Sequence, residues 1–360
     1  MYSKKIIIAL GTCLLIVVIA SCSRNVESPG ERKPVTAELS GEVLDCKSFV
    51  GGYLLNAYKD CLIFDTYDNS AKIAIYRIDG DSLVLADKGI KKGRGPYEVI
   101  YANYCQSGDS LFVLDSNPMG FNAIYGIPLN EVGALSDYGQ WKKYPCEGIP
   151  QMITAGYFAK IGSGRFVVNA AEPGTEHIFS ILDYTDRSVT QLEYWPEDGN
   201  ECETEVKQMA YINNWISGGV GDRVVYAAGK GRYMAIMRPE DGVMKEKSMI
   251  YDVFPKFTSK NYNIKYEMDQ YKGIFVTSSA KRIYAKLYQD DWGESEEYKS
   301  YPPHFFDEIE IYDWNGRFIK CIRTDRPYSS FCPSPDDKYI YTTSIDLETG
   351  EDLILRYRVK

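Results

Sequence analysis

Short apolar runs bounded by Gly, Asp, Asn or Ser follow one another along most of the chain. Few stretches show the apolar spacing of about 3.6 residues that marks an amphipathic helix. The chain also contains 30 Tyr and 14 Phe, and aromatic side chains favour strands over helices. The pattern of apolar and polar positions therefore predicts an all-β protein.

One short pattern recurs six times: a turn residue, a variable residue, then an aliphatic or aromatic stretch. Its third positions are Leu62, Leu111, Phe166, Val224, Ile283 and Ile340. The steps between them are 49, 55, 58, 59 and 57 residues, although a spacing this loose also arises by chance in all-β chains. A unit of about 55 residues has room for about four strands, and one such sheet cannot bury both faces alone. Because radial packing solves this problem, the repeat predicts a six-bladed β-propeller of four-stranded antiparallel blades over residues 36–360.

The last unit contains only three candidate strands, Ser329–Cys332, Tyr339–Thr343 and Leu353–Val359. We expect its outer strand to come from the N-terminal segment around Val35–Asp45. Such a strand closes the ring and removes the free edges that otherwise invite aggregation.

The alternating direction of antiparallel strands sorts the connections between two faces of the ring. Links from strand two to strand three, and from strand four to the next blade, fall on one face. The long segments 196–207, 253–270 and 288–304 all belong to this long-loop face, whereas tight turns such as 79–81 and 315–316 belong to the other. We expect binding on the long-loop face, because long loops carry function more often than short turns.

Residues 89–98, GIKKGRGPYE, combine three glycines with three cationic side chains. A phosphate cradle needs several free backbone N–H groups that lead into a helix N-terminus. Here Pro96 removes one N–H group, and residues 97–101 continue as a strand. We therefore interpret this segment as the link between the first and second blades, with Gly93 and Gly95 supplying backbone freedom.

The N-terminus has the features of an export signal. Lys4 and Lys5 precede an apolar run of 14 residues from Ile6 to Ile19, which is too short to span a bilayer comfortably. Residues 19–22, IASC, resemble the lipobox of bacterial lipoproteins, which predicts a signal peptide at 1–21 and lipidation of Cys22. Residues 22–35 then form a flexible tether. The alternative is an ordinary signal peptide with an incidental cysteine.

Charge and cysteine content narrow the compartment and the partners. A formal net charge of -9 disfavours nucleic acid, which attracts clustered Lys and Arg. Seven cysteines remain beyond Cys22, and an odd number in an exported protein implies a free thiol or an intermolecular bond. Without a C-x-x-C pair, buried thiols with one or two bridges are the favoured interpretation. We expect a lipid anchor in the cell envelope, in the outer membrane, facing the periplasm or the surface.

Three motifs carry a resemblance to a known family. GRGPYE at Gly93–Glu98 resembles the G-x-G-P-G-E turn of the TolB-like six-bladed propeller lipoproteins of Gram-negative gut-type anaerobes. IYDWNGRFIKCI at Ile311–Ile322 and SPDDKYIY at Ser334–Tyr341 are similar to other turns of such propellers. Tyr97 replaces the usual Gly and Val99 the frequent Phe, which suggests a reshaped turn. The resemblance implies the fold and the lipid anchor, and it implies no established activity.

The sequence contains few motifs that indicate catalysis or metal binding. His177 and His304 are the only histidines, no G-x-S-x-G, H-x-x-x-H or H-E-x-x-H occurs, and the sequence predicts no catalytic residue, metal or cofactor. Acidic residues crowd 290–297, where they form either a solvated surface or, less in keeping with their spacing, a Ca²⁺ site.

Aromatic side chains give the clearest candidates for binding. Trp292, Tyr298 and Tyr301 lie in segment 288–304, and Trp215 follows two asparagines at the end of a predicted inner strand facing the channel. Such rings beside amides or acids suit sugars or peptides, although ordinary packing in a Tyr-rich protein is the alternative.

These features together predict an anchored module that binds an envelope protein or a glycan without catalysis. The runner-up is a carbohydrate-active hydrolase or lyase using acidic residues of the long-loop face. A third alternative is a purely structural envelope protein.

Overall fold

A computed structural model describes most of residues 33–359 of this chain. Its gaps are 69, 94, 96, 100–101, 118–119, 132, 146–156, 213, 220, 261–262, 267–272, 289–299 and 303. The predicted lipidation site Cys22, the predicted binding residues Trp292 and Tyr298, and the acidic segment 290–297 lie outside the described residues.

Two short strands come first in the described part of the chain, and three blades follow, in each of which the chain runs from the inner to the outer strand. The N-terminal strands are β1 (Ala37–Leu39) and β2 (Glu42–Leu44). Blade 1 contains β3 (Gly52–Tyr58), β4 (Cys61–Thr66), β5 (Ile73–Asp79) and β6 (Ser82–Gly89). Blade 2 contains β7 (Ala102–Ser107), β8 (Ser110–Asn117), β9 (Gly120–Pro128) and β10 (Lys142–Pro145), with a 3-10 helix at Tyr138–Gln140. Blade 3 contains β11 (Phe158–Gly162), β12 (Arg165–Val168), β13 (Phe179–Asp183) and β14 (Ser188–Leu192).

Three further blades complete the ring. Helix α1 (Thr204–Tyr211), the one α-helix within the described residues, precedes blade 4. Blade 4 contains β15 (Trp215–Gly218), β16 (Val224–Ala227), β17 (Arg232–Glu240) and β18 (Val243–Val253), and a hairpin of β19 (Phe257–Lys260) and β20 (Asn263–Tyr266) follows it. Blade 5 contains β21 (Ile274–Ser278), β22 (Arg282–Leu287), β23 (Phe306–Asp313) and β24 (Phe318–Tyr328). Blade 6 contains β25 (Ser330–Pro333), β26 (Tyr339–Ile345) and β27 (Asp352–Arg358).

The six repeat positions occupy equivalent places in the fold. Leu62, Leu111, Phe166, Val224, Ile283 and Ile340 each lie in the second strand of their blade, and each is at most 1% exposed. Each side chain belongs to a different hydrophobic cluster of the core. The predicted six-bladed propeller of four-stranded antiparallel blades is therefore confirmed, and burial between sheets explains the repeat.

The N-terminal segment closes the ring as predicted. Strand β2 pairs antiparallel with β27, Glu42 opposite Arg356, and supplies the fourth strand of blade 6. Strand β1 adds a parallel fifth strand to β24 of blade 5, which the sequence did not predict. Gly41 lies between the two strands. A larger residue would not fit there, because a Cβ would lie 2.7 Å from the Tyr357 ring.

The distribution of connections follows the predicted two faces, with one exception in blade 2. Residues 129–141 link strands three and four of blade 2 and form a long connection on the face where the tight turns lie. It packs along the outer edge of blade 1, where the Leu135 N–H donates to the Asp87 carboxylate at 3.0 Å. The indole N–H of Trp141 donates to the Ala134 carbonyl oxygen at 2.6 Å and fixes the segment.

The GRGPYE turn links blade 1 to blade 2, and its geometry is inconsistent with a phosphate cradle. The Gly95 N–H donates to the Glu98 carboxylate at 2.8 Å, and a Cβ at Gly93 would collide with the same carboxylate. Tyr97 has φ 62°, in the left-handed region that favours glycine, so the turn keeps a backbone suited to Gly at this position. The Tyr97 ring stacks on Tyr138, with 5.2 Å between centroids, and stabilises this conformation.

Six of the seven cysteines beyond Cys22 are described, and all six carry free thiols: Cys46, Cys61, Cys105, Cys202, Cys321 and Cys332. Cys146 lies outside the described residues. Within the described part of the chain, no helix is both long and apolar enough to cross a membrane.

Candidate ligand-binding site in the central channel

The inner strands of the six blades surround the centre of the ring, and their residues line two cavities there. At the end on the long-loop face, near the first residues of the inner strands, lies a cavity of about 470 Å³, here called the mouth cavity. A second cavity of about 240 Å³ lies at the other end, near the turns that follow the inner strands. The mouth cavity is thus on the face where the sequence predicted binding.

Three aromatic rings from consecutive blades form one wall of the mouth cavity. Trp215 begins β15, and its ring centroid lies 3.8 Å from that of Tyr157, which immediately precedes β11. Phe275 of β21 packs edge-on against the Trp215 indole, with 4.5 Å between centroids. Burial raises the pKa of Tyr157, so its phenol stays protonated and able to donate a hydrogen bond at neutral pH.

Lys286 brings a cation into this aromatic surrounding. It lies near the end of β22, is 4% exposed, and its Nζ donates to the Ser329 carbonyl oxygen at 3.0 Å. The amine lies over four rings, at centroid distances of 4.8 to 5.8 Å from Phe306, Tyr288, Phe275 and Tyr328. Burial lowers the pKa of this amine to about 7. No ion pair joins it to a carboxylate within the described residues, so cation–π contacts supply its electrostatic support.

His304 stands at the exposed rim of the same cavity. Partial burial, and then the charge of Lys286, lower the pKa of this imidazole. His177, the other histidine, has a structural place instead, because its Nδ1 lies 3.0 Å from the Leu192 carbonyl oxygen.

Carboxylates are sparse around the mouth cavity. Asp65 of β4 is the one acidic side chain among the described lining residues, and its carboxylate pairs with the Lys72 ammonium at 2.6 Å. Burial raises the pKa of Asp65, and Lys72 opposes this shift. The described lining residues therefore form no carboxylate pair of the kind that glycosidases use. Within the described residues, no group of three or more His, Cys, Asp or Glu side chains is placed to hold a metal ion.

Hydroxyl and amide groups join neighbouring inner strands deeper in the channel. The Ser217 and Ser278 hydroxyl oxygens lie 2.6 Å apart, and the Asn56 amide donates to the Gln106 side-chain oxygen at 3.0 Å. Near the mouth, the Ser330 hydroxyl accepts a hydrogen bond from the Leu54 N–H at 2.9 Å. These contacts position the polar groups that a bound ligand would meet.

The structure brings one of the predicted binding residues into the site. Trp215 lines the channel as predicted, but it begins the inner strand, whereas the sequence suggested that it ends one. Tyr301 is half-buried against Phe305, with 5.8 Å between centroids, and is not a lining residue of the mouth cavity. Trp292 and Tyr298 lie outside the described residues.

Sequence reasoning missed Tyr157, Phe275 and Lys286. A signal for Lys286 was present, because it follows the repeat residue Ile283 by three positions. Asp65 follows Leu62 at the same offset, and both side chains line the mouth cavity. Extending the alignment of the repeats by three residues along the same strand would have found this position.

No family model matches the chain, and no curated protein matches its sequence. Solved structures match this chain at low identity and with TM-scores below 0.5. The WD40 repeats of RRP9 match at 8% identity and a TM-score of 0.44, over 91% of this chain and 99% of theirs. An oligogalacturonate lyase in complex with manganese matches at 9% and 0.39, over 84% of this chain and 74% of that chain. AztD of Citrobacter koseri matches at 10% and 0.37, over 86% and 73%. These likenesses concern fold alone.

Proposed function

We propose that this chain is a binding module that holds a glycan or a protein segment at the mouth cavity without catalysis. The observation that carries the proposal is a cavity of about 470 Å³ walled by Tyr157, Trp215 and Phe275. This volume falls within the range of about 300–1,000 Å³ typical of ligand sites. Rigid rings supply contact area at low entropic cost, and the surrounding hydroxyl and amide groups give orientation.

The distribution of acids favours binding over catalysis. Acid–base cleavage of a glycosidic bond requires two carboxyl groups about 5–9.5 Å apart. Asp65 is the one carboxylate among the described lining residues, and its ion pair with Lys72 holds it in a structural contact.

The cellular setting of the proposal comes from the sequence. The lipobox-like residues 19–22 support lipidation of Cys22, and residues 22–35 supply a tether between membrane and propeller. The resemblance of GRGPYE to the TolB-like propeller lipoproteins supports the same placement in the cell envelope. The propeller would then meet envelope proteins or glycans.

A binding screen tests the proposal. The protein is expressed from the full sequence, purified in detergent, and applied to arrays of neutral and acidic oligosaccharides and of peptides. We expect saturable binding to at least one probe, and a loss of about tenfold or more in affinity in Trp215→Ala. Trp195→Ala is the matched control, because Trp195 is half-buried beside Lys207 and does not line the cavity. Undiminished binding by Trp215→Ala would refute the mouth cavity as the binding site. Release of a cleaved oligosaccharide would favour the alternative of a carbohydrate-active enzyme.

A further inference from the structure

We propose that the ligand of the mouth cavity is an acidic sugar, whose carboxylate pairs with the Lys286 ammonium while its ring packs beside Trp215. This inference rests on the proposed function and names the ligand class of the same site.

The position of the amine is the first step. Lys286 is 4% exposed and is a lining residue of the mouth cavity, so its side chain borders the space that a ligand would occupy. An ammonium has three N–H groups, and the described partner, the Ser329 carbonyl oxygen, uses one. A carboxylate can accept from the others.

The electrostatics give the second step. The titratable groups around the amine are Tyr288 and His304 from the segment after β22 and Tyr328 from β24. Asp307 and Glu308 on the adjacent β23 are both paired with Arg323, at 3.4 Å and 2.6 Å. An anionic ligand supplies the countercharge that this surrounding lacks, and an opposite charge nearby favours the protonated amine.

The cavity wall gives the third step, the choice of a sugar. The Phe275 ring lies 5.5 Å from the amine, Trp215 packs against Phe275, and Tyr157 packs against Trp215. Thr277 and Ser330 add hydroxyl groups to the lining of the cavity. The C–H face of a sugar ring packs on aromatic rings, and its hydroxyls pair with side-chain hydroxyls and amides. A uronic acid combines these features with the carboxylate that Lys286 selects.

The test compares charged and uncharged forms of one sugar. The full chain in detergent is titrated calorimetrically with a disaccharide ending in glucuronate, and then with its carboxamide. We expect the wild type to bind the glucuronate at least about tenfold more tightly, and Lys286→Met to bind both forms alike. Lys338→Met is the matched control, because Lys338 pairs with Asp336 in an exposed turn away from the cavity.

The pH dependence of the wild type gives a second readout that needs no variant. Glucuronate affinity should fall by up to about tenfold per pH unit above pH 7, since binding then requires proton uptake by Lys286. Carboxamide affinity should stay constant.

The outcomes separate this inference from the proposed function. Equal affinity for both forms in the wild type, with binding abolished in Trp215→Ala, would overturn the acidic ligand and leave the binding site intact. Preference for an acidic peptide over both sugars, lost in Lys286→Met, would overturn the sugar class. Absence of binding to sugars and peptides alike would overturn both proposals.

Discussion

The Lys286 Nζ and the Ser329 carbonyl oxygen lie 3.0 Å apart and join the second strand of blade 5 to the start of blade 6. The contact places a cation where four aromatic rings and one peptide oxygen replace water. Burying a charge without an opposite charge is costly, so a position of this kind weakens the fold and suits a binding role.

Replacement of Lys286 by Met should stabilise the protein near pH 7 and have a smaller effect near pH 10. The folded amine has a pKa of about 7, below its value of 10.5 in the unfolded chain, so the unfolded state binds more protons between these values. Wild-type stability therefore rises with pH in this window, by up to about 1.4 kcal/mol per pH unit, and the advantage of the variant shrinks. Urea unfolding of both proteins at pH 7 and pH 9.5 measures the difference. A gap independent of pH would contradict the lowered pKa of the buried amine.

Tyr97 should respond differently to Gly and to Ala. Both substitutions remove the ring that stacks on Tyr138, but only Ala keeps the cost of a side chain at φ 62°. We expect Tyr97→Ala to be about 1 kcal/mol less stable than Tyr97→Gly. Chemical denaturation of the two variants measures this difference directly. Equal stabilities would show that the left-handed conformation carries no cost here.

Removal of residues 33–45 should destabilise the propeller and promote aggregation. The deletion takes away β1 and β2, exposes the edge of β27 and removes the buried Leu44 side chain. We expect a loss of at least about 2 kcal/mol and concentration-dependent association through the open edge. Thermal unfolding and light scattering test this against a chain that begins at residue 33. An unchanged melting temperature would mean that ring closure does not stabilise the fold.

Substitution of Cys22 by Ala should release the protein from membranes. The thiol is the predicted site of acylation, and the apolar run of residues 6–19 is too short to anchor the chain comfortably. Fractionation of a Gram-negative host that expresses each form provides the measurement, with Cys46→Ala as the control. Continued pelleting of Cys22→Ala with membranes would refute the lipid anchor.

The sequence predicted the blades better than the site, for a physical reason. Leu62 and Ile283 mark equivalent strands because every blade must bury the same face, and that requirement repeats along the chain. Trp215 was found because it follows two asparagines at a predicted inner strand, and this pattern is visible in the local sequence. Lys286 was missed because a lysine in a strand suggests a solvated face. Its burial depends on rings as distant in sequence as Tyr328, whose packing no local pattern shows.

The connection to the outer strand of blade 2 also could not be predicted from local sequence patterns. The connection 129–141 is as long as many loops that carry function. It packs instead against Asp87 and Tyr97 of neighbouring segments. The alternating direction of the strands gives the face on which a connection begins. The path of the connection depends on tertiary packing.

The central claim is that ligand binds at Trp215, and fluorine NMR of the full chain labelled with 5-fluorotryptophan tests it most directly. The chain has five tryptophans, of which Trp215 is the reporter and the others are internal references. Trp215→Phe and Trp195→Phe assign two of the resonances. On titration with the glucuronate disaccharide, we predict that the Trp215 resonance shifts in a saturable manner while the Trp195 resonance stays in place. Saturable binding that leaves the Trp215 resonance unmoved would contradict the account.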